Sequence, residues 1–426
     1  MSSLSFRKVL GVVNSDVMQH FCAYAASEGA SKASRLFAVV TLARFLSPAE
    51  IGVAAAAMAT SDIMKALTEN GVGQRIIMAR EHEVEALCHT AHRIFWFWCG
   101  GLFVLQQVLA LVLWQTGVAD EGALLVAVLG LEYLFMPGGL VQCALAMRAG
   151  RLKNTAAIAG AQNVGANLLT CALAIIWPSS WAVVLPKILT APIWLVGMRR
   201  LVRWRPVSGA RRAPAAPFLN FGLPVLGVAV LEALRAQLDK LIVGAVLGAD
   251  ALGIYYFAYN AGTGISMSLS STFATVLFPY LSTSADRRAA LRIAMGLSLA
   301  IITPVVLIQT LAAGPYVDLV FGAKWADVAP LVAILCLAAV PNMLWTVSAR
   351  WLRSNGRTGH EFAASLAIGL AISGATLLAA PHGLTVLAWS TLAAATLAQV
   401  VASLPALSAA LGSEAHLPSL TVIREA

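Results

Sequence analysis

The sequence predicts an all-α polytopic membrane protein, with about twelve transmembrane helices in two pseudo-symmetric six-helix lobes around a central cavity. Three observations predict this fold. The 426-residue chain is 59% hydrophobic and only 12% charged, about half the charged fraction of a soluble protein. Its apolar runs are about 20 residues long and continuous, which is typical of membrane-spanning helices rather than β-barrel strands. Its basic residues fall on alternate connections between these runs.

Twelve apolar segments follow one another along the chain. They cover residues 20–45, 49–70, 87–115, 121–147, 155–177, 180–199, 217–247, 251–281, 288–313, 328–352, 360–380 and 383–411. Connections after the odd segments are short and poor in arginine and lysine, whereas those after the even segments are basic. By the positive-inside rule, the basic connections and both termini are predicted to be cytoplasmic, in a multi-pass protein of the cell inner (plasma) membrane. Topology and anionic membrane lipids thus explain the net charge of +9, so we predict no nucleic-acid partner.

The most basic connection divides the chain into two halves. It has the sequence RRLVRWRPVSGARRAPAAP. We predict an N-terminal six-helix lobe (1–203), a basic cytoplasmic linker (204–216) and a C-terminal six-helix lobe with a short cytoplasmic tail (217–426). Residues 46–53 and 247–254 both match the motif L-x-x-x-x-(I/L)-G-(V/I). An even number of spans per half predicts a parallel repeat about an axis along the membrane normal.

Residues 218–260 are predicted to form two spans joined by a turn at 248–250. The first of these spans carries Glu232, Arg235, Asp239 and Lys240 near its middle. Each charge at the centre of a span costs about 2.5–3.5 kcal/mol, so these side chains should face protein or a water-filled cavity. Glu232–Arg235 and Arg235–Asp239 ion pairs would be an alternative to a substrate-binding role, and we place Lys240 on a different helix face.

The first predicted span carries a similar charged stripe. Glu28, Lys32 and Arg35 have the i, i+4 and i+7 spacing of one helix face. Lys32 and Arg35 are suited to binding an anion, and the alternative is an intrahelical Glu28–Lys32 ion pair that only neutralises charge. Lys187, which follows Pro186 in the sixth span, is a further cavity candidate.

Carboxylates in these stripes are candidate sites for a coupling ion. They are Glu28, Glu232 and Asp239. An adjacent cation lowers the pKa of a carboxyl group and burial raises it, so the sequence leaves open whether any of them titrates. Lys65, by contrast, is predicted to form a local ion pair with Glu69.

Uncharged polar side chains are concentrated in two of the predicted spans. Amides and aromatic rings of this kind could bind sugars, although helix packing is the favoured interpretation: Gln162, Asn163, Asn167, Tyr255, Tyr256, Tyr259 and Asn260. Residues 317–327 are predicted to lie along the outer membrane surface, with Trp325 as a headgroup-level anchor.

The sequence contains no recognisable catalytic or nucleotide-binding motif, so we predict a protein that is not an enzyme and uses no cofactor. Glu85, His89 and His92 lie on one helix face, but polar residues are expected at the end of a span, and no further ligand is evident. We therefore predict no metal site. The six cysteines have no metal-binding spacing and are expected to pack as small apolar residues.

Several segments, taken in order, resemble polysaccharide flippases of the Wzx type. They are ARFLSPAEIGVAAAA with the later GQRIIM, LDKLIVGAVLGADALGIYYFAYN, VLFPYLS, LVFGAKWADVAPLVAIL and SNGRTGHE, and the resemblance runs from about residue 21 to 399. Such flippases belong to the multidrug/oligosaccharidyl-lipid/polysaccharide exporter superfamily. The resemblance implies two six-helix lobes around a cationic, water-filled cavity. Because no extra C-terminal pair of spans is evident, a lipid II flippase is disfavoured.

The resemblance implies a function as well as a fold. The expected activity is transfer of oligosaccharide units on undecaprenyl diphosphate across the inner membrane by alternating access, for exopolysaccharide or O-antigen synthesis. Its partners would be the lipid-linked substrate, membrane lipids, and the polymerase and glycosyltransferases of the same pathway. Two alternatives are an ion-coupled multidrug exporter of the same superfamily and a membrane polysaccharide polymerase or ligase. Basic residues outnumber acidic ones in the spans, which favours an anionic substrate.

Overall fold

The computed structural model describes residues 31–68, 71–117, 120–207, 213–283 and 286–411, which are helical almost throughout. Three short 3-10 helices interrupt the α-helices, at Glu81–Glu83, Ala323–Val328 and Ala380–His382. The α-helices in chain order are α1 (31–45), α2 (Pro48–Ala66), α3 (Val72–Ile77), α4 (Val84–Gln115), α5 (Asp120–Leu129), α6 (Glu132–Phe135), α7 (Pro137–Arg148), α8 (Leu152–Ile176), α9 (Trp181–Leu201), α10 (Ala216–Thr283), α11 (Arg287–Leu311), α12 (Ala313–Phe321), α13 (Ala329–Leu337), α14 (Ala339–Ser354), α15 (Thr358–Ala379) and α16 (Leu384–Leu411).

The helices are long and apolar enough to confirm an all-helical polytopic membrane protein. Among the described residues, eight helices could each cross a membrane, or nine if the pair α5–α6 and α7, bent by 53°, is one broken span. The predicted number of twelve spans stays a prediction. Helix α2 is not among the eight because its 19 residues include three charged ones, Glu50, Asp62 and Lys65.

Helix α10 consists of two arms that meet at Gly248. This glycine has φ +87° and ψ 179°, a conformation that residues with a Cβ rarely adopt. Tyr255 on the second arm donates its hydroxyl to Asp239 on the first arm at 2.9 Å, although 16 residues separate them. In a straight helix they would be about 24 Å apart. The chain therefore reverses direction at Gly248, within the turn predicted at 248–250.

The described residues from 31 to Phe257, together with Val317–Ala326, form one compact unit. Within it α8 packs along α9, and both α2 and α4 pack against α5. Buried side chains form a core where α3, α4 and α7 meet the start of α10: Val72, Ile76, Ala79, Leu87, Cys88, Ala91, Phe95, Val141, Ala144 and Phe218.

A second compact unit comprises the described residues of Ala258–Tyr316 and those from Asp327 to Leu411. Within it α16 packs against α14 and α15, and α11 packs against α14. Its core includes Leu277, Leu281, Ala290, Leu291, Ala294, Met295, Val347, Ala406 and Ala410. Arg353 makes two hydrogen bonds, of 2.9 and 2.6 Å, to the carboxylate of Glu361 and thereby ties α14 to α15. The lobe boundaries predicted from the sequence, 1–203 and 217–426 with the linker between them, remain a prediction.

The two copies of the repeated motif cross at their glycines. A Cβ added at Gly52 would lie 1.8 Å from the carbonyl oxygen of Ala249, and one added at Gly253 would lie 1.8 Å from that of Pro48. Pro48 and Ala249 occupy equivalent positions in the two motifs, so the same contact is made twice about a local two-fold axis. Such an approach, with glycine Cα–H groups facing carbonyl oxygens, leaves no room for a side chain.

The first motif also defines the start of α2. Ser47 accepts a hydrogen bond from the backbone N–H of Glu50 at 3.3 Å, and the Glu50 carboxylate accepts one from the Ser47 N–H at 2.7 Å. This reciprocal capping box, with Pro48 at the first helical position, satisfies backbone donors at the helix start. The motif therefore fixes where α1 ends and α2 begins.

Residues 317–326 bind the end of α1. Trp325 donates its indole N–H to the carbonyl of Ala43 at 2.7 Å. The ammonium of Lys324 donates to the carbonyls of Arg44 and Leu46 at 3.2 and 2.9 Å. These are the carbonyls that a helix C-terminus leaves without intrahelical partners, and a cation is favoured there.

Hydrogen bonds also run from α1 to this segment, because the Arg44 guanidinium donates to the carbonyls of Leu319 and Val320 at the end of α12. Phe257 stacks on the Trp325 ring with the centroids 4.1 Å apart. Trp325 is 1% exposed. The prediction that Trp325 is a headgroup-level anchor was wrong, because its N–H is used to cap α1 and its ring packs inside the unit.

We expect Gly253→Ala to lower the thermal unfolding midpoint of the purified protein in detergent. The added methyl would overlap the carbonyl of Pro48, which cannot move away like a flexible side chain, and overpacking of this kind costs about 1–3 kcal/mol. Gly52→Ala should have the same effect because its contact is equivalent. The control is Gly100→Ala in α4, where an added Cβ meets nothing within 4 Å. Equal midpoints for Gly253→Ala and the control would contradict the crossing.

Candidate functional site

Asp62 connects three helices through polar contacts. Its Oδ1 lies 3.7 Å from Nζ of Lys187 in α9, and its Oδ2 accepts a hydrogen bond from the amide of Gln237 in α10 at 3.1 Å. The side chains of Lys187 and Asp62 are 32% and 38% exposed. Because Lys187 lies within a candidate span, pairing with Asp62 offsets part of the cost of placing its charge there.

A second ion pair lies one turn further along α2, where the ammonium of Lys65 bonds to the carboxylate of Glu132 in α6. Their side chains are 42% and 12% exposed, respectively. The partner predicted for Lys65, Glu69, lies outside the described residues. The structure instead gives Lys65 a partner on another helix, so the pair links α2 to the bent segment α6–α7.

A cavity of about 210 Å³ opens beside the Lys65–Glu132 pair. Residues of α2, α6, α8 and α9 line it, together with Met136 between α6 and α7: Lys65, Glu132, Phe135, Met136, Ala159, Gln162, Asn163, Ala191 and Trp194. The small side chains of Ala159 and Ala191 leave space between α8 and α9, which otherwise pack along each other.

The polar and aromatic groups of this cavity differ in how they are held. Trp194 packs on Gly139 of α7, where an added Cβ would lie 2.6 Å from Cζ3 of the indole. The side-chain amides of Gln162 and Asn163 make no hydrogen bond to other described residues, and neither does the indole N–H of Trp194. Asn167, one turn further along α8, donates its amide to Ser34 of α1 at 2.9 Å. Helix packing thus accounts for Asn167 but not for Gln162 and Asn163.

The stripe predicted in the first span is only partly within the described residues. Glu28 lies outside them. Lys32 is half-buried and Arg35 is exposed, and both are on α1. Whether these two side chains bind substrate stays a prediction.

The stripe on the first arm of α10 divides into two parts. Glu232 and Arg235 are exposed, and neither forms an ion pair with another described residue. Asp239 accepts the Tyr255 hydroxyl and lies 3.4 Å from the ammonium of Lys240, which is 6% exposed and also donates to the Ala236 carbonyl at 2.6 Å. The suggested Arg235–Asp239 pair is therefore absent. Lys240, which we had placed on a different face, reaches Asp239 through its flexible stem.

The Glu85 and His89 side chains hold the chain segment that follows α9. Nε2 of His89 lies 3.0 Å from Oε1 of Glu85, and the Trp204 indole donates to the same oxygen at 3.2 Å. His92 also contacts the Trp204 ring, with centroids 5.6 Å apart. In the part of the chain that is described, no group of three metal-ligating side chains comes together.

Sequence reasoning did not single out Asp62, Glu132 or Gln237 as site residues. Asp62 lies three residues before Lys65 in the second predicted span, and Glu132 lies near the middle of the fourth. The cost of placing charge in a span, which identified Lys187 and Asp239, applies equally to these acids. That argument could have identified both.

Comparison with known proteins identifies the family. Residues 41–330 match the family described as "Polysaccharide biosynthesis protein". The chain is 25% identical over 311 residues to "Lipopolysaccharide biosynthesis protein WzxC" of Escherichia coli (strain K12), covering 68% of this chain and 60% of that protein. It is 24% identical over 302 residues to "Succinoglycan biosynthesis transport protein ExoT" of Rhizobium meliloti (strain 1021), covering 68% and 59%. The match thus spans about 60% of the length of these curated relatives.

Solved structures show the same fold over most of the chain. The lipid II flippase MurJ in an inward closed conformation has a TM-score of 0.72 at 13% identity, covering 91% of this chain and 90% of that one. An inward-facing multidrug resistance MATE family transporter has a TM-score of 0.62 at 14% identity, covering 90% and 93%. The family match agrees with the resemblance drawn from the sequence: the chain belongs to the polysaccharide biosynthesis protein family.

Proposed function

We propose that this protein is a flippase that moves oligosaccharide units linked to undecaprenyl diphosphate across the inner membrane by alternating access, for exopolysaccharide or O-antigen synthesis. One observation carries the proposal: in a chain of a polysaccharide biosynthesis family, the Lys65–Glu132 ion pair borders a cavity whose amide groups make no hydrogen bond to other described residues. Two similar proteins support it, since one is a transport protein of succinoglycan biosynthesis and another, similar in fold, is a lipid II flippase.

In this proposal the basic residues of the predicted stripes bind the diphosphate. Arginine can bind phosphate oxygens with two parallel hydrogen bonds, so the exposed Arg35 and Arg235 are the strongest candidates. Lys187 and Lys240 lie beside Asp62 and Asp239, so either would bind an anion only after its ion pair opens. The proposed substrate-binding set is Lys32, Arg35, Lys187, Arg235 and Lys240, and the proposed coupling-ion candidates are Glu28, Glu232 and Asp239.

The fold of a multidrug transporter makes drug export the second candidate function. A cavity for cationic drugs should be lined mainly by acids, whereas basic residues outnumber acids in the predicted spans of this chain. A drug-efflux assay in a hypersensitive strain distinguishes the two functions. Flippase activity predicts no change in drug sensitivity.

We expect Arg35→Ala and Arg235→Ala each to reduce polymer export at least about tenfold at normal protein level, because a charge-assisted hydrogen bond to phosphate contributes about 1.5–3 kcal/mol. Lipid-linked units should accumulate at the cytoplasmic face. The measurements are polymer yield and the amount of lipid-linked precursor in cells that depend on the plasmid-borne gene.

The matched control is Lys153→Ala, which removes an exposed cation at the start of α8. It should leave export unchanged. Normal export in both arginine variants would refute their assignment to the substrate site, and the flippase proposal itself would then rest on the family match alone.

A second prediction distinguishes two roles of Lys187, a structural ion pair with Asp62 and binding of the substrate. Lys187→Met leaves Asp62 without its ammonium partner and should lower stability by about 1–3 kcal/mol. The double variant Lys187→Met/Asp62→Asn should recover most of that loss, because no unpaired charge remains. Unfolding midpoints and export are measured together. If the double variant regains both stability and export, Lys187 is structural and does not bind substrate.

A further inference from the structure

The proposed function leaves unassigned which part of the substrate the cavity beside the Lys65–Glu132 pair receives. We propose that this cavity binds a single uncharged pyranose ring of the lipid-linked unit, with Trp194 as the aromatic surface and Gln162 and Asn163 as hydrogen-bonding partners. The inference rests on the proposed function and deepens it. It assigns sugar recognition to residues different from those proposed to bind the diphosphate.

The unused polar groups are the first argument. The amides of Gln162 and Asn163 and the indole N–H of Trp194 all line the cavity without a hydrogen bond to any residue the structure describes. Each amide offers both a donor and an acceptor, which is what a sugar hydroxyl requires. Ligand sites combine apolar walls with a few such convergent polar groups.

The size of the cavity limits the ligand to one ring. The cavity has a volume of about 210 Å³. Pockets for drug-sized ligands are larger, about 300–1,000 Å³. We therefore place one ring in the cavity and the rest of the oligosaccharide outside it.

The charge balance argues for an uncharged ring. Among the described residues that line the cavity, Lys65 and Glu132 are the ionic ones, and their charges cancel because they bond to each other. A phosphate or a uronic acid would meet Glu132 as well as Lys65 and would have to break their ion pair. Hydroxyl groups, by contrast, can bond to the outer sides of the carboxylate and the ammonium while the pair stays intact.

The aromatic surface is held in place from behind. Trp194 lies against Gly139, and only a residue without a side chain permits this contact. Aromatic rings present flat apolar faces with partly negative charge, and the C–H groups on one face of a pyranose carry the complementary partial charge. Gly139 is therefore a positioning residue for Trp194.

A rival explanation is a water-filled gap left by imperfect helix packing. Asn167 can be compared with Asn163 to test this explanation. It is the same residue type and lies one turn further along α8, but its amide donates a hydrogen bond to Ser34. If the amides served only packing, both asparagines should matter for stability and neither for sugar recognition.

The test measures translocation in proteoliposomes. The probe is the undecaprenyl-diphosphate-linked oligosaccharide extracted from the producing strain, and the free oligosaccharide released from it by mild acid is the competitor. We expect the double variant Gln162→Ala/Asn163→Ala to raise KM for the lipid probe about tenfold with kcat within about twofold, because two hydrogen bonds to the sugar are lost. Trp194→Ala should also raise KM and abolish inhibition by the free oligosaccharide, and Trp194→Phe, which keeps an aromatic face, should restore inhibition in part.

The matched control is Asn167→Ala, which should lower the unfolding midpoint but leave KM unchanged. If wild-type protein does not translocate the lipid probe, the proposed function fails whatever the variants do. If wild-type protein translocates it and the cavity variants keep the wild-type KM, the sugar site is wrong while the flippase proposal stands. An equal rise in KM for Asn167→Ala would also overturn the sugar site, since disturbed helix packing would then explain all the variants.

Discussion

The close approach of two backbones at Gly52 and Gly253 is the constraint on which the rest of the first unit depends. Each glycine faces a carbonyl of the opposite motif at a distance that excludes any side chain. The reversal at Gly248 and the capping box at Ser47 fix the helix starts that bring these glycines together. Because the contact repeats about a local two-fold axis, it relates the start of α2 to the start of the second arm of α10.

The charges on α2 at Asp62 and Lys65 are tolerated in this arrangement because they pair with groups on other helices. Asp62 bonds to Lys187 and Gln237, and Lys65 bonds to Glu132, so α2 is tied to α6, α9 and α10 by polar contacts in otherwise apolar surroundings. Removing one partner of such a pair leaves the other charge unsatisfied, which is more costly than removing both. The pairs therefore restrict which helices can be neighbours.

The sequence predicted what local patterns determine and missed what tertiary packing determines. The turn at Gly248 was predicted because it follows from a few neighbouring residues. The partner of Lys65 does not, because a residue four positions away and one 67 positions away are equally compatible with the sequence. Trp325 is of a residue type that often anchors proteins at the membrane surface. Only the position of the α1 carbonyls shows that its indole N–H caps the C-terminus of α1. Asn163 and Asn167 are likewise indistinguishable until their neighbours are known.

The presence or absence of an ion-pair partner also decides which cations in the spans could bind an anionic ligand. Lys65 and Lys187 lie opposite carboxylates, so each must lose an ion pair before it can bind an anion. Arg235, which has no ion-pair partner among the described residues, needs no such exchange. An anionic headgroup would thus bind at Arg235 at lower cost than beside Lys65, whereas an uncharged ring is favoured where charges already cancel. A substrate that carries both a diphosphate and a sugar would match both environments. Its diphosphate would bind at Arg235 without breaking an ion pair, and its uncharged ring would bind beside Lys65 and Glu132 without disturbing theirs.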